Sequence, residues 1–341
     1  MKFNYMRYFQ TLGIGLGCLM VVLLGIVGYS YLYGEEGIVS GGRDSSMQAS
    51  ADEDGIINCL VIGVDADEMH SDIIMLASYR IQSQELKLLS IPRDTYMYIG
   101  TRYQKINASH AIGAYKGEMI GAAGTVEAVE RLTNIPIDYY VEFNFSAIDH
   151  FMEIVGPVTF TVPDIYGDGV GMKYDDPVQD LHINLRPGTQ ELSGNQVQQL
   201  LRYRKDNNGR SYPGGDNDRI KMQQSFLETF VDQKLNLSLI LKIPAIFKQL
   251  QQDIKTNLTV SDVISYIDYI KGFSSDKIEA FTLPGESEYI KEEDSEKGEW
   301  YWKCDLKATK TMIEDIFWYD ASKISIDQPK ASATPTAKGR K

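Results

Sequence analysis

The sequence predicts an α/β protein: a three-layer α/β/α sandwich with a central mixed sheet, preceded by one transmembrane helix. Three observations predict it. Short, nearly continuous apolar runs, of which Ile56-Ile57-Asn58-Cys59-Leu60-Val61-Ile62-Gly63 is the first, read as strands covered on both faces. Helix-period patterns alternate with these runs along the chain, as expected of helices packed against a sheet. Ahead of them, Leu12 to Tyr33 is an almost wholly apolar stretch of 22 residues within an uncharged segment, 8–34.

That stretch spans ~33 Å as a helix, enough to cross a bilayer core. A secretory signal has a shorter apolar region, about 7–15 residues, followed by a small-residue cleavage site. Here the run ends in Tyr29-Ser30-Tyr31-Leu32-Tyr33, which suits an interfacial belt and not a cleavage site. Lys2 and Arg7 precede it, and Glu35 and Glu36 follow it. The positive-inside bias therefore keeps residues 1–7 in the cytoplasm and places the rest outside. Gly13 and Gly17 form a GxxxG compatible with helix pairing in the membrane. Residues 35–54 are Gly-, Ser- and Asp-rich and read as a flexible tether. Residues 55–326 are expected to form one extracellular domain, and the Pro-, Ala-, Ser- and Lys-rich stretch 327–341 a disordered tail.

Within the domain, Ile73 to Tyr79 and Leu86 to Ile91 repeat the strand pattern of the first run. Met119 to Leu132 reads as a helix and Tyr139 to Phe143 as a strand. Ser146 to Val155 reads as a helix with Ser146 and Asp149 as its capping pair. Val158 to Val162 is a further strand. Ser193, with Gln196 three residues on, is a capping box that opens a helix toward Leu201. From Ile220 to Gly272 the patterns are mainly helical, Ile278 to Leu283 is a late strand, and Leu306 to Trp318 a last helix.

Hydrophobic residues make up 43% of the chain, enough for a sizeable core. The net charge of −13 excludes wholesale attraction to nucleic acid or to an anionic membrane surface. The three cysteines, Cys18, Cys59 and Cys304, show no short spacing, so they form no zinc motif or disulfide framework and read as packing residues. There is no Ser-His-Asp order, HExxH or P-loop, and the four histidines read as structural.

Chemistry points instead to phosphate. Asp65 follows the first strand and Asp72 opens the second, where ligands gather in open α/β sheets. The two would face each other across a short loop as oxygen ligands for Mg²⁺. In Ser90-Ile91-Pro92-Arg93-Asp94-Thr95 the proline stops a strand and presents Arg93 and Asp94 at its end; an arginine fork suits phosphate. Four of the twelve arginines fall between residues 202 and 219: Arg202, Arg204, Arg210 and Arg219, joined by Lys205, Lys221 and three glycines. Against the acidic background this cluster reads as an anion site, to which a following helix start adds its own attraction. Arg202 and Arg204 differ by about 200° on a helix, so either the helix ends there or only one reaches the ligand.

At these residues the sequence resembles the LytR–CpsA–Psr family of cell-wall glycopolymer ligases. The likeness runs from about Ile57 to Phe226. Its landmarks occur in the family's order: Leu60 to Asp65, Ser71 to Leu76, Leu89 to Thr95, Lys105-Ile106-Asn107-Ala108 and Ile137 to Val141. They continue with Leu185-Arg186-Pro187-Gly188, Leu192-Ser193-Gly194, Arg202-Tyr203-Arg204, and Asp216-Asn217-Asp218-Arg219 followed by Gln223.

The resemblance implies transfer of a phosphoglycosyl polymer from a polyprenyl-pyrophosphate carrier to a cell-wall acceptor, usually peptidoglycan. It implies Mg²⁺ (or Mn²⁺) held by Asp65 and Asp72. Arg93, Arg202, Arg204 and Arg219, with Gln223, would hold the pyrophosphate, Lys105 and Arg210 would add to substrate binding, and the lipid tail would lie in an apolar tunnel between sheet and helices. Asp94 and Asp216 are the candidates for the base. The implied location is the cell membrane of a Gram-positive bacterium. The chain departs from the family at His70 and Met222, where Arg is usual, at Asp218 and Pro157, where Gly is usual, and in a shorter loop between the metal aspartates. A phosphohydrolase that releases lipid phosphate and a non-catalytic lipid-pyrophosphate binder remain alternatives.

Overall fold

The computed structural model describes residues 55–64, 69–113, 121–177, 181–203, 205–213, 216–234, 243–250, 253–259, 262, 273–291, 298–322 and 324. Strands β1 (Ile56–Val64), β2 (Ser71–Arg80) and β3 (Glu85–Ser90) follow one another as an antiparallel meander. β1 is buried at every position, as its unbroken apolar run predicts. The small hairpin β4 (Tyr96–Ile99) and β5 (Arg102–Lys105) comes next. After it stand a short α1 (Ser109–Ile112) and α2 (Ala122–Thr133). β6 (Tyr139–Phe143) returns parallel to β1, and α3 (Phe145–Val155) leads to β7 (Val158–Val162).

The ribbon β8 (Met172–Asp176) with β9 (Leu181–Leu185), and then β10 (Gly188–Leu192), which pairs with β7, precede α4 (Gly194–Arg202). α5 (Asp216–Lys234) and α6 (Ile243–Leu250) follow, then β11 (Ile254–Thr256) and β12 (Ile278–Thr282). A hairpin of β13 (Gly285–Ile290) and β14 (Glu299–Cys304) and a final α7 (Leu306–Asp315) close the domain.

Among the described residues the central sheet has six strands in the order β11-β6-β1-β2-β3-β12. It is mixed: β1–β6 and β3–β12 pair parallel, and the other neighbours pair antiparallel. Alternate residues of β1 enter opposite cores. Ile57, Cys59 and Val61 pack with Phe151 of α3, Leu200 of α4 and Phe226 and Phe230 of α5. Leu60, Ile62 and Val64 pack with Val129 and Leu132 of α2, Ile313 of α7 and Phe317. Helices thus cover both faces. Because β1, β3, β6 and β12 run the same way, their carboxyl ends share one edge of the sheet, and β2 begins there.

Several details differ from the sequence reading, among them the helix expected from Met119, which begins at Ala122. The helix expected from Ser146 begins at Phe145, and its first-turn N–H, that of Ala147, is met by the Asn144 side chain at 3.3 Å; Asn144, one position outside the helix, is the better placed acceptor. The stretch expected to be mainly helical after Ile220 contains β11, which pairs with β6. The last helix ends at Asp315, short of Trp318. The capping box of Ser193 and Gln196 is present as expected. Among the described residues no helix is long and apolar enough to cross a membrane; the expected anchor 8–34, tether 35–54 and tail 327–341 lie outside them. Cys59 and Cys304 are buried thiols, and Cys304 Sγ lies 3.0 Å from Thr309 Oγ1, consistent with packing.

Candidate active site

The carboxyl edge of the sheet brings together residues that the sequence keeps apart. Val64, the last residue of β1, pairs with Ser71, so the strand that ends just before Asp65 and the strand that contains Asp72 meet there. The turn after β3 is closed by the Thr95 N–H and hydroxyl, both donating to the Pro92 carbonyl at 2.9 and 2.6 Å. It is held from the far side by the Asn107 N–H, which donates to the Arg93 carbonyl at 3.1 Å. Arg93 and Asp94 are therefore mounted on a fixed turn.

From that turn Arg93 Nη1 donates to Asp72 Oδ1 at 2.6 Å. Its Nε is buried and has no partner among the described residues. Arg202, the last residue of α4, also lies within the field of Asp72. Burial pushes its guanidinium down from the usual value, while Asp176 and Asp72 pull it back up. Arg93 thus bonds Asp72 directly, while Arg202 feels its charge only after that of Asp176. Tyr203 is extended, so the helix ends at Arg202, which resolves the facing problem posed by Arg202 and Arg204.

Asp94 turns the other way. It is nearly buried, and its Oδ1 lies 3.2 Å from Lys105 Nζ, which also reaches Glu299 Oε2 at 3.3 Å. Gln223 is fully buried, and its Nε2 donates to the Leu201 carbonyl at 3.0 Å. It meets one of the carbonyls left open at the end of α4 and braces the turn of helix that carries Arg202. Arg210 is committed elsewhere: Nε to Asp206 at 2.6 Å, Nη1 to Asp168 at 3.0 Å, and the guanidinium 4.2 Å over the Tyr166 ring. It fastens its own loop.

Asp216 and Arg219 stand in the first turn of α5, with their side chains outside the described set, as are Asp65 and Arg204 altogether. Met222 is buried in the core beneath α5, so this position, a departure from the pattern the resemblance implies, carries packing. Among the described residues no group of three or more His, Cys, Asp or Glu is placed to hold a metal.

Sequence reasoning missed a buried carboxylate near this edge. Glu142 of β6 accepts from Lys255 Nζ at 2.8 Å and lies 2.9 Å from His110 Nε2. Burial raises the carboxyl, but the hydrogen bonds from His110 and Lys255 outweigh it and hold it below its ordinary range. His150 and His182 pair with Asp253 and Asp175, in line with structural roles.

A model of the LytR_cpsA_psr family matches residues 33–316. Bacillus subtilis TagT, a polyisoprenyl-teichoic acid–peptidoglycan teichoic acid transferase, is 29% identical over 243 residues, 66% of this chain and 67% of the relative. TagU of Bacillus licheniformis, a transferase of the same description, is 26% identical over 279 residues, 80% of each chain. A solved structure of TagT bound to LIIa-WTA superposes with a TM-score of 0.55 at 27% identity, covering 77% of this chain and 91% of that one. With most of its length matched and the fold shared, the chain belongs to the LytR_cpsA_psr family.

Proposed function

We propose that the protein is a membrane-anchored phosphotransferase that moves a phosphoglycosyl polymer from a polyprenyl-pyrophosphate carrier to peptidoglycan. The observation that carries this reading is the Arg93–Asp72 pair at the carboxyl edge, with Arg93 Nε buried and unpartnered among the described residues and Arg202, at the end of α4, within the field of the same carboxylate. A buried donor without an acceptor costs free energy unless a ligand supplies one, and a diphosphate supplies several. The activities of TagT and TagU support the same reading.

Arg93 and Arg202 would grip the diphosphate, with Arg204 and Arg219 from the neighbouring loop and helix start completing the cationic wall. Their charge matters most as negative charge builds on the leaving lipid phosphate. Asp72 is one-third exposed, and Arg93 occupies its Oδ1. Its oxygen chemistry fits Mg²⁺ or Mn²⁺, which Asp65 and Asp72 would hold together. When bound, such an ion withdraws charge from the diphosphate. Gln223 keeps the end of α4 in place. Asp94, paired through Oδ1 with Lys105, and Asp216, at the start of α5, are the candidate bases for the acceptor hydroxyl.

The test is product analysis with the full chain, a polyprenyl-pyrophosphate-linked polymer, peptidoglycan and Mg²⁺. Polymer covalently joined to peptidoglycan is the expected product. Free polymer phosphate alone would make water the acceptor, and binding with neither product would make the protein a carrier-lipid binder; either overturns the transfer reading.

A further inference from the structure

The stretch between α4 and α5 joins Arg202, at the end of one helix, to Asp216 and Arg219, at the start of the next. Its described part, residues 205–213, is a small hairpin. Lys205 bridges Ser211, and the Asp206 N–H donates to the Arg210 carbonyl at 2.8 Å. The turn closes through the Gly209 N–H on the Asp206 carbonyl at 3.0 Å, with Gly209 in the left-handed region at φ +84°. The nearly buried Asp206 carboxylate accepts from the N–H groups of Asn208 and Arg210, both at 2.9 Å, and from Arg210 Nε at 2.6 Å. Side-chain links fasten this hairpin to the β7–β8 connection and to β8. Arg210 Nη1 donates to Asp168 Oδ2 at 3.0 Å, and its guanidinium lies 4.2 Å over the Tyr166 ring. The Tyr166 hydroxyl donates to the Arg210 carbonyl at 2.8 Å; with its one proton spent there, it accepts from the Tyr203 hydroxyl, also at 2.8 Å. Asn207 grips the β8 backbone at Asp175, accepting from its N–H at 2.9 Å and donating to its carbonyl at 2.8 Å.

Two of these links end next to Arg202. Tyr203, fully buried, follows it in the chain, and Asp176, whose charge acts on Arg202 more strongly than that of Asp72, follows Asp175. Ion pairs as exposed as those of Arg210 add little stability; what they fix is where the hairpin, and Arg202 at its foot, is held. We propose that Tyr166 and Arg210 are positioning residues: they clasp the hairpin to the β7–β8 connection, so that Arg202 meets the diphosphate from a fixed place. The proposal deepens the transfer reading and rests on its diphosphate site. It moves Arg210 from the substrate contact implied by the resemblance to a role one step behind it, since two carboxylates and a ring already occupy its guanidinium. Fixing the arginines beforehand strengthens binding, because ordering side chains and loops at the moment of association weakens a complex.

Calorimetric titration of the full chain with geranylgeranyl diphosphate tests this, in the wild type and in an Arg202→Ala background. Tyr166→Phe keeps the ring and removes the hydroxyl; Arg210→Lys keeps the charge and loses the fork. Each should weaken diphosphate binding by about tenfold in the wild-type chain, within the coupling expected of residues in one network. In Arg202→Ala, where the residue they position is gone, each should change it by less than about twofold. Melting temperatures should stay near that of the wild type, and if one variant fails to fold the other carries the test. Equal losses in both backgrounds would mean that Tyr166 and Arg210 act on the ligand without Arg202, which overturns the clasp. Unaltered binding by the variants in the wild-type chain overturns it as well, and in both cases the transfer reading stands. Coupling to Arg202 in a protein that forms no transfer product keeps the clasp and sinks the transfer reading. A wild type that binds no diphosphate sinks both.

Discussion

At the scale of single residues, the sharpest contrast is between Arg93 and Arg210. Both belong to arginine-bearing loops, yet Arg93 keeps a buried donor without a partner while Arg210 is spent on two carboxylates and a ring. Arg93→Ala should therefore lower turnover by about 10²–10³, the usual effect of losing one transition-state donor, with a stability change of only about 1 kcal/mol. Arg219→Lys keeps the charge but loses the bidentate fork, and a large loss of turnover with little change in melting temperature is expected. Normal transfer by both would remove the phosphate site. Asp72→Ala should abolish the response to Mg²⁺ while the protein stays folded; an unchanged metal titration would place the ion elsewhere. The arginine cluster was legible as composition, but its division of labour was not. Arg210 sits near Arg202 and Arg204 in sequence, whereas its partner Asp168 lies 42 residues away. The Arg93–Asp72 pair needs the antiparallel register of β2 and β3, which places Met75 opposite Ser90 and so carries both residues to one edge.

Elements were legible where burial is two-sided. The nearly continuous apolar runs of β1, β2 and β3 announce themselves, and so does the capping box of α4. The two-stranded ribbons β4–β5, β8–β9 and β13–β14 mix tyrosines, lysines and aspartates on short strands, and β11 is three residues inside a helical-looking stretch. Their pairing is decided by partners distant in sequence. Two predictions belong here. At Gly63 an added Cβ would lie 2.4 Å from Ile73 Cδ1 and 2.9 Å from its Cβ, where the register shifts just before the end of β1. Gly63→Ala should cost roughly 1–3 kcal/mol in denaturant unfolding, and Ile73→Val in the same chain should recover part of it; an unperturbed single variant would contradict the tight contact. Glu142 titrates below its ordinary range because His110 and Lys255 bond it despite burial. A depressed carboxyl contributes stability above the unfolded value, about 4.3 for glutamate, and loses it as pH falls through the folded value. The melting-temperature gap between wild type and Glu142→Gln should accordingly be full near neutrality and shrink in acid; a gap independent of pH would mean the carboxylate charge is immaterial.

For the whole molecule, the acidic surface and the apolar N-terminal run set the expected orientation. Protease added to intact cells with the wall removed should digest the domain, since Lys2 and Arg7 precede the run and Glu35 follows it; survival until the membrane is permeabilised would reverse the topology. The direction of β1 then has a mechanical consequence. The chain enters this strand at Ile56 and leaves it at Val64 beside the arginines, so nine residues, roughly 30 Å of strand, separate the point of attachment from the point of chemistry. A leash fixed at one pole serves a carrier lipid in the same bilayer only if the domain can roll over and bring its opposite pole down. Were residues 35–54 to act as the tether expected from their composition, a coil of that length would average about 25 Å end to end, close to the distance such a roll requires. Cutting that leash by half should strand the active pole above the membrane, stopping turnover of the lipid-linked donor while a short, water-soluble prenyl diphosphate still binds.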